Sequence, residues 1–451
     1  MEKIERVHFI GIAGSGMSGL ALLAHDLGLT VSGSDLKPSR YLDAVLAAGI
    51  DVKMEQNGAN LDGADIDVVV VSTAVQEDNA ELAAARQMGL PIWPRAQMLA
   101  WLGQDRRMMA VAGTHGKTTT SAMLASALAG LGADPSFVVG GVLNDWQATA
   151  HLGQGSDYVV EADESDESFT WLAPYLMILT NMDRDHMDHY GSLDEIAAAF
   201  KRFITTLQPD GLIVYCADDL RLSRLVWASG QRAVSYGVAP ESDYHCLVSR
   251  NEFIVRTPKG RVTLSMPKAP GVHNMVNATG VIAALTELGY SHEDIAACLK
   301  NYGGVQRRFE VIGTVSGITV VDDYGHHPAE IKATLAAARR LGFAKVHVLF
   351  QPHRYSRTEK LFDEFIDCFD DADSLALLDI YSAGEDRVAG VSSAALAEAI
   401  QAAHAKPSVE LLTAAEAPLK MAAKASEGDL ILTLGAGDVT NLAPLIVAAL
   451  G

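Results

Sequence analysis

Between Met108 and Leu128 the chain passes from an apolar stretch, Met108-Met-Ala-Val111, through Gly113-Thr-His-Gly116-Lys117-Thr-Thr-Thr120, into a helix-like run, Ser121-Ala-Met-Leu-Ala-Ser-Ala-Leu128. A buried strand that turns through glycines into a helix points several backbone N–H groups at one spot, and that spot attracts an anion. Lys117 adds a compact positive charge there, and the Thr118 hydroxyl can ligate a magnesium ion bridging nucleotide phosphates. Gly113, Thr114, His115, Gly116, Lys117, Thr118 and Thr119 are therefore the candidate ATP-binding residues of an α/β unit. A purely structural glycine turn accounts for neither the Lys-Thr pair nor the strand and helix on its two sides.

A chain of 451 residues is too long for one core and predicts two to four domains. With 49% hydrophobic and 20% charged residues the composition is that of a folded soluble protein. Lys and Arg number 35 against 56 Asp and Glu, a formal charge of −21 with no Lys/Arg run to offset it. Nucleic acid and anionic membranes are thus excluded as expected partners. An anionic substrate must be held by a few placed cations, helix N-termini and metal ions. The cysteines Cys216, Cys246, Cys298 and Cys368 are far apart and match no zinc spacing, as expected of buried thiols in a reducing compartment. The sequence opens on Met-Glu-Lys-Ile-Glu-Arg with no signal peptide, and no apolar run reaches the ~18 residues of a spanning helix. The expectation is a cytoplasmic protein, monomeric or weakly dimeric.

Three β/α segments follow one another. The first opens with strand Val7–Ile12, the loop Gly11-Ile-Ala-Gly14-Ser-Gly16-Met-Ser-Gly19, helix Leu20–Leu27 and strand Thr30–Ser34 ending at Asp35. Glycines at the first strand-to-helix turn and an acid about 20 residues on are the fingerprint of a doubly wound unit that holds a pyrophosphate. Further alternation, strand Asp67–Ser72 and helix Asn79–Met88, extends it, and the polar stretch Gly103–Arg107 marks its end. The second segment carries the phosphate loop, strands Tyr158–Glu161 and Leu176–Thr180, and a helix from Leu193. The third carries strand Thr319–Asp322, a helix with Pro328 at its favoured first position, strand Val346–Phe350, and strand Asp429–Leu434.

Two acidic clusters stand at strand ends, where ligands converge in open α/β sheets. Glu161-Ala-Asp163-Glu164-Ser-Asp166 gathers four carboxylates whose mutual repulsion calls for a cation, which magnesium on ATP would supply. Asn181-Met-Asp183-Arg-Asp185-His186-Met-Asp188 follows the next strand. In the third segment Arg354 and Arg357 stand three apart, on one face if the segment is helical, and could grip a carboxylate or a phosphate.

Only two residues separate Gly113 from the Gly116-Lys117 pair, and this shortened loop resembles that of the Mur ligases, ATP-dependent amide-forming enzymes of cell-wall synthesis related to folylpolyglutamate synthases. The resemblance implies three domains: a Rossmann-like UDP-binding domain over 1–106, a central P-loop ATPase-like domain over 107–309, and a C-terminal Rossmann-like domain over 310–451 that receives the amino acid. It implies that Gly14, Ser15, Gly16, Met17, Ser18, Asp35 and Ser72 bind a UDP-sugar in place of a nicotinamide dinucleotide. The family often has a Gly-x-His near the uridine, where this chain carries Asn57-Gly58-Ala-Asn60. Glu161 and His186, with Thr118, would be metal ligands. His273 and Asn277, in His273-Asn-Met-Val-Asn277-Ala, would meet the adenine region, Arg308 the ATP phosphates, and Asp322 and Asp323 the ribose. Lys201 stands where several members carry a carbamylated lysine that the alanine-adding branch generally lacks, and a solvated lysine is expected.

The motifs Gly33-Ser-Asp35, Asp322-Asp-Tyr324-Gly-His326-His-Pro and Phe350-Gln-Pro-His-Arg354-Tyr-Ser-Arg357 resemble the alanine-adding branch. What this implies is ATP and Mg2+ as cofactors, UDP-N-acetylmuramate and L-alanine as substrates, and peptidoglycan precursor synthesis through an acyl phosphate. Lys117, Glu161, His186, His326, Arg354 and Arg357 would be catalytic, with Tyr324 beside the two arginines on the amino acid. Two alternatives stand beside this reading. A recycling ligase that adds a murein tripeptide to the same sugar nucleotide shares most motifs but tends to have Phe-Ala where Tyr324-Gly stands. A nucleotide-sensing regulator without turnover would have had no need of an intact Lys117, Glu161 and His186.

Overall fold

The computed structural model describes residues 4–63, 65–184, 190–248 and 253–451. His186, with Asp185 and Asp188, lies outside them. The first sheet is built from β1 (Arg6–Ile10), β2 (Thr30–Ser34), β3 (Asp51–Lys53), β4 (Val68–Val71) and β5 (Ile92–Pro94), interleaved with α1 (Ser15–Asp26), α2 (Leu42–Ala47), α3 (Ala80–Gln87) and α4 (Arg95–Leu102). All five strands are parallel in the order β3-β2-β1-β4-β5. Apolar runs such as Val68–Val70 are buried, as strands covered by helices on both faces must be. The order reverses between β1 and β4, and the first glycine loop leaves β1 at that switch point. The helix expected from Leu20 starts at Ser15, with Gly14 as its N-cap. The segment Ser15–Ser18 is therefore helical first turn, where backbone N–H groups are unspent.

The second sheet comprises β6 (Arg107–Ala112), β7 (Ser136–Leu143), β8 (Ala148–His151), β9 (Asp157–Glu161), β10 (Leu176–Leu179), β11 (Leu212–Cys216), β12 (Ala233–Gly237), β13 (Tyr244–Val248), β14 (Phe253–Thr257) and β15 (Gly260–Leu264). With it go α5 (Lys117–Gly130), α6 (Leu193–Ile204), α7 (Leu220–Ser229), α8 (Val272–Glu287) and α9 (His292–Lys300). Its order is β15-β14-β13-β12-β11-β10-β6-β9-β7-β8, so β6 lies between β9 and β10 and all three run parallel. The phosphate loop and both acidic clusters consequently leave the same edge of adjacent strands.

The third sheet contains β16 (Glu310–Val315), β17 (Ile318–Asp323), β18 (Val346–Phe350), β19 (Ser374–Leu377), β20 (Ser408–Leu411) and β21 (Leu430–Leu434) in the order β16-β17-β21-β18-β19-β20. Only β16 is antiparallel to its neighbour. Its α10 (Pro328–Leu341) opens on a capping box formed by His327 and Glu330. No helix of the described residues is long and apolar enough to cross a membrane.

The chain divides into two compact units, Met1–Ser265 with Val276–Gly303 and Met266–Met275 with Gly304–Gly451. The first unit thus holds two sheets. Between them the stretch Gly103–Arg107 is no loose linker. Arg107 Nε donates to Asp157 at 2.7 Å, Arg106 to the Gly155 carbonyl at 2.5 Å, and the Tyr158 hydroxyl to the Leu99 carbonyl of α4 at 3.3 Å. A Cβ on Gly103 would lie 2.0 Å from the ring of Tyr158, which is fully buried. Gly103→Ala is therefore expected to destabilise this unit by about 1–3 kcal/mol through overpacking, read as a lower urea midpoint with an unchanged slope.

Candidate active site

The phosphate loop takes its shape from its glycines. Gly113 (φ +141) and Gly116 (φ +83) lie in the left-handed half of backbone space, which costs a side-chain-bearing residue. A Cβ on Gly113 would also sit 2.0 Å from Thr180 Oγ1, and one on Gly116 2.8 Å from Asn277 Oδ1. The residues between them are fastened to the end of β10. Asn181 accepts from the Thr114 and His115 N–H groups at 3.1 and 2.9 Å, while Thr180 Oγ1 and Asn181 Nδ2 donate to the His115 carbonyl at 2.6 and 3.0 Å. The Asp183 N–H reaches Thr114 Oγ1 at 2.9 Å, and the His115 ring lies 3.2 Å from the Asp183 carboxylate. Asn181 is the residue whose role sequence reasoning did not assign. Its position directly after a buried strand was the available signal.

Beyond Gly116, α5 begins at once with Lys117, which is the direction in which a bound phosphate would meet the helix N-terminus. Lys117 Nζ donates to the Gly113 carbonyl at 2.8 Å, the Thr114 carbonyl at 3.3 Å and the Glu164 carboxylate at 2.9 Å. Burial alone would depress its pKa, but the negative charges of Glu164, Asp163 and Glu161 outweigh it and hold the ammonium well above its usual value. Thr118 Oγ1 donates to Glu161 at 3.0 Å, and the other Glu161 oxygen accepts from the Gly140 N–H of β7 at 2.7 Å. A hydroxyl and a carboxylate so close, beside Lys117, form a hard oxygen pair suited to magnesium.

Glu161 and Asp163 also line a cleft of about 240 Å³ whose far wall is the first glycine loop, Gly14 to Met17, with Ser72. Both walls belong to the first unit. Arg95, at the start of α4, spans this cleft: its guanidinium lies 3.4 Å from Asp163, and a Cβ on Gly16 would come within 3.0 Å of it. Burial would raise the Asp163 carboxyl, but Lys117 and Arg95 together lower it below the usual carboxylate range. Arg95 belongs to no motif in the sequence. Asp35 accepts from the Ala13 N–H at 2.8 Å, so it holds the glycine loop from behind. Lys201 is exposed on α6.

In the second unit the ends of β17, β18 and β21 meet. Asp322 is fully buried between Arg307 Nε at 3.1 Å, Thr433 Oγ1 at 2.6 Å and Thr440 Oγ1 at 2.8 Å, which marks it as a structural hub. Asp323 accepts from the Phe309 and Gly325 N–H groups at 2.7 and 2.8 Å, and burial pushes its carboxyl up to about 6. Both Arg307 and Arg308 place their guanidinium 5.0 Å from the centre of the Tyr324 ring. Burial lowers His273 to about 4.

Tyr324 packs edge-on to His326, His326 lies 6.0 Å from His353, and His353 stacks on Tyr381 at 5.5 Å with 10° between the rings. Arg357 Nη1 donates to His353 Nδ1 at 3.1 Å. Burial, followed by the charges of His326, Arg357 and Arg354, lowers His353 to about 3, so this ring is neutral and presents its remaining N–H as a donor. The expectation of two arginines on one helical face is corrected. The helix α11 (Tyr355–Lys360) begins after Arg354, which sits at its N-cap with φ +71 and leans 3.7 Å from Glu385. Only Arg357 is helical, because Arg354 holds φ +71 and ψ 138, far from the right-handed helical region.

Three family models match in order along the chain: "Mur ligase family, catalytic domain" over residues 6–107, "Mur ligase middle domain" over 111–285 and "Mur ligase, glutamate ligase domain" over 307–437. A UDP-N-acetylmuramate–L-alanine ligase of Geotalea daltonii is 43% identical, with 99% of this chain and 98% of that protein covered. Among solved structures, a UDP-N-acetylmuramate–alanine ligase from Thermotoga maritima superposes with a TM-score of 0.80 at 29% identity, covering 98% of each chain. A murein peptide ligase from Psychrobacter arcticus gives 0.70 at 28% identity over 99% of each chain. With a shortened phosphate loop pinned to the neighbouring strand, a glycine loop that faces Glu161 across one cleft and these likenesses along its length, the chain belongs to the Mur ligase family.

Proposed function

We propose that this protein is an ATP-dependent ligase that joins L-alanine to the lactyl carboxylate of UDP-N-acetylmuramate, in the cytoplasmic synthesis of peptidoglycan precursors. The observation that carries the reading is the single cleft that has the first glycine loop on one wall and Glu161 on the other, with Lys117 and Thr118 beside it. A sugar nucleotide whose pyrophosphate lies on Gly14–Ser18 extends its carboxylate end toward the γ-phosphate of ATP on the Gly113–Thr119 loop. Domains over 1–106, 107–309 and 310–451 divide the work in this reading, taking UDP-sugar, ATP and amino acid in turn.

The lactyl carboxylate attacks the γ-phosphorus and ADP leaves, giving an acyl phosphate; the alanine amine then attacks the acyl carbon and phosphate departs. Lys117 neutralises charge on the transferring phosphoryl group. Thr118, Glu161 and His186 are the residues that would hold magnesium, which when bound adds further neutralisation of the phosphate oxygens. Arg95 balances the sugar nucleotide's negative charge in the cleft. In the second unit Arg357, oriented by neutral His353, holds the alanine carboxylate with its planar fork, and Tyr324, His326 and Arg354 complete that site. His273, Asn277, Arg308 and Asp323 are assigned to the nucleotide.

Lys117→Ala is expected to lower phosphate release by roughly 10²–10³-fold, the loss of one preorganised contact in the transition state, with a cooperative thermal transition retained. Turnover close to that of the parent protein would overturn the assignment of the loop. Glu161→Gln should raise the magnesium concentration at half-maximal rate, since a neutral amide is a poorer ligand for a hard cation. An unchanged magnesium dependence removes Glu161 from the metal site. Arg357→Ala should raise the KM for alanine by about 10–100-fold, as loss of a charge-assisted bidentate contact does, while ATP affinity measured by calorimetry stays the same. A collapse of ATP affinity with normal alanine dependence would move this arginine to the nucleotide.

A further inference from the structure

Beneath the first glycine loop lies a buried polar cluster with no role in the chemistry described above. Glu81, in the first turn of α3, is fully buried, as are His8 of β1 and Ser34 at the end of β2. One Glu81 oxygen accepts from His8 Nε2 at 2.9 Å and from Asn60 Nδ2 at 3.0 Å; the other accepts from the Ser34 hydroxyl. The second His8 nitrogen pairs with Ser32 Oγ at 2.8 Å. One carboxylate therefore joins β1, β2, α3 and the turn Gly58–Asn60 that follows β3.

Two of these links lead straight to the ligand side of the sheet. The Ser34 carbonyl accepts the Gly11 and Ile12 N–H groups at 2.8 and 3.0 Å, so Ser34 holds the start of the glycine loop, and the next residue, Asp35, holds Ala13. The turn Gly58–Asn60 is seated on α3, where a Cβ on Gly58 would come 2.9 Å from Ala84. Both amide hydrogens of Asn60 are spent internally, one on the Glu55 carbonyl at 2.8 Å and one on Glu81. Asn60 thus ties its turn down and does not offer that amide to a ligand. A buried carboxylate adds little stability over a well-packed apolar substitute, so a cluster of this kind is better explained by the geometry it imposes.

We propose that Glu81, bonded at once to the end of β2 and through Asn60 to the turn after β3, is a positioning residue that sets the first glycine loop and this neighbouring turn for the sugar nucleotide. The inference rests on the reading that the first glycine loop binds UDP-N-acetylmuramate. The second unit contains a natural control. His347 of β18 pairs with Ser374 at 2.8 Å and Asp429 at 3.2 Å in the same pattern, but Asp429 precedes β21, at the sheet edge opposite the strand ends that carry Asp323 and His353.

The test uses the full chain, with steady-state phosphate release in each substrate and calorimetric titration with UDP. Asn60→Ala cuts the tie without stranding a buried charge on a new neighbour. It should raise the KM for the sugar nucleotide and the Kd for UDP by the same factor, roughly tenfold for a hydrogen bond to a charged acceptor. The KM values for ATP and alanine should stay within about twofold of the parent, as for any contact outside those subsites. Glu81→Gln should stay near the parent, because its carbonyl still accepts from His8 and Asn60 and the Ser34 hydroxyl can reverse. Asp429→Asn should lower the melting temperature and leave every KM in place. The proposal is overturned if Asn60→Ala keeps the parent UDP affinity, if it moves all three KM values together, or if Asp429→Asn moves the sugar-nucleotide KM as far. If the parent protein itself binds no UDP, the reading of the glycine loop fails first, and that result is separate from any of these.

Discussion

The first unit's chemistry depends on how a loop of four residues keeps its backbone polar groups satisfied while leaving a helix N-terminus open. Thr114 and His115 are too few to close hydrogen bonds among themselves, and a buried N–H or C=O without a partner costs about 1–3 kcal/mol. Asn181 and Thr180 supply the missing partners from the end of the next strand. This works only because Gly113 lets the strand end approach to a distance no Cβ would tolerate. The same clamp sets the start of α5, where Lys117 Nζ is held by the Gly113 and Thr114 carbonyls and by Glu164.

Around that clamp the charges are arranged against the sign of the whole molecule. A protein of net charge −21 repels the anions it is proposed to bind, and at long range nothing compensates. Within a few ångströms the balance differs: Lys117 and Arg95 face Glu161, Asp163 and Glu164, and each cation holds at least one carboxylate ionised. Each of these cations has a carboxylate partner, which is the condition for charges to be tolerated at low dielectric.

In the second unit the cations are arranged differently. Arg357 donates to a histidine kept neutral by burial and by neighbouring cations. The stacked His353 and Tyr381 rings give that corner an apolar wall. Asp322, fully used by Arg307 and two threonines, anchors the strand end from which Tyr324 and His326 project.

Much of this was legible in the residues. The strand–glycine–helix units of the first and third sheets, the capped helix at Pro328 and the phosphate loop all follow from local rules: apolar runs bury, glycines turn, Asn and Ser cap. Asn79 and Ser192 sit as N-caps where helices were read to begin. What the sequence could not determine is any contact between residues far apart in it. Arg95 meets Asp163 across 68 positions, Asn60 meets Glu81 across 21, and Asn181 meets His115 across 66. Arg95 carries no motif signature, and the motifs that contain Asn60 and Asn181 do not say which residues those amides meet. Arg354 shows the converse. Its spacing from Arg357 suggested one helical face, but its backbone, at φ +71, places it at the N-cap outside the helix. Local chemistry determined which elements form and what charge and glycine they bring to their ends. Which ends meet, and therefore which acids, arginines and amides form a site, was decided only by strand order and packing, because a hydrogen bond depends on distance in space and not along the chain.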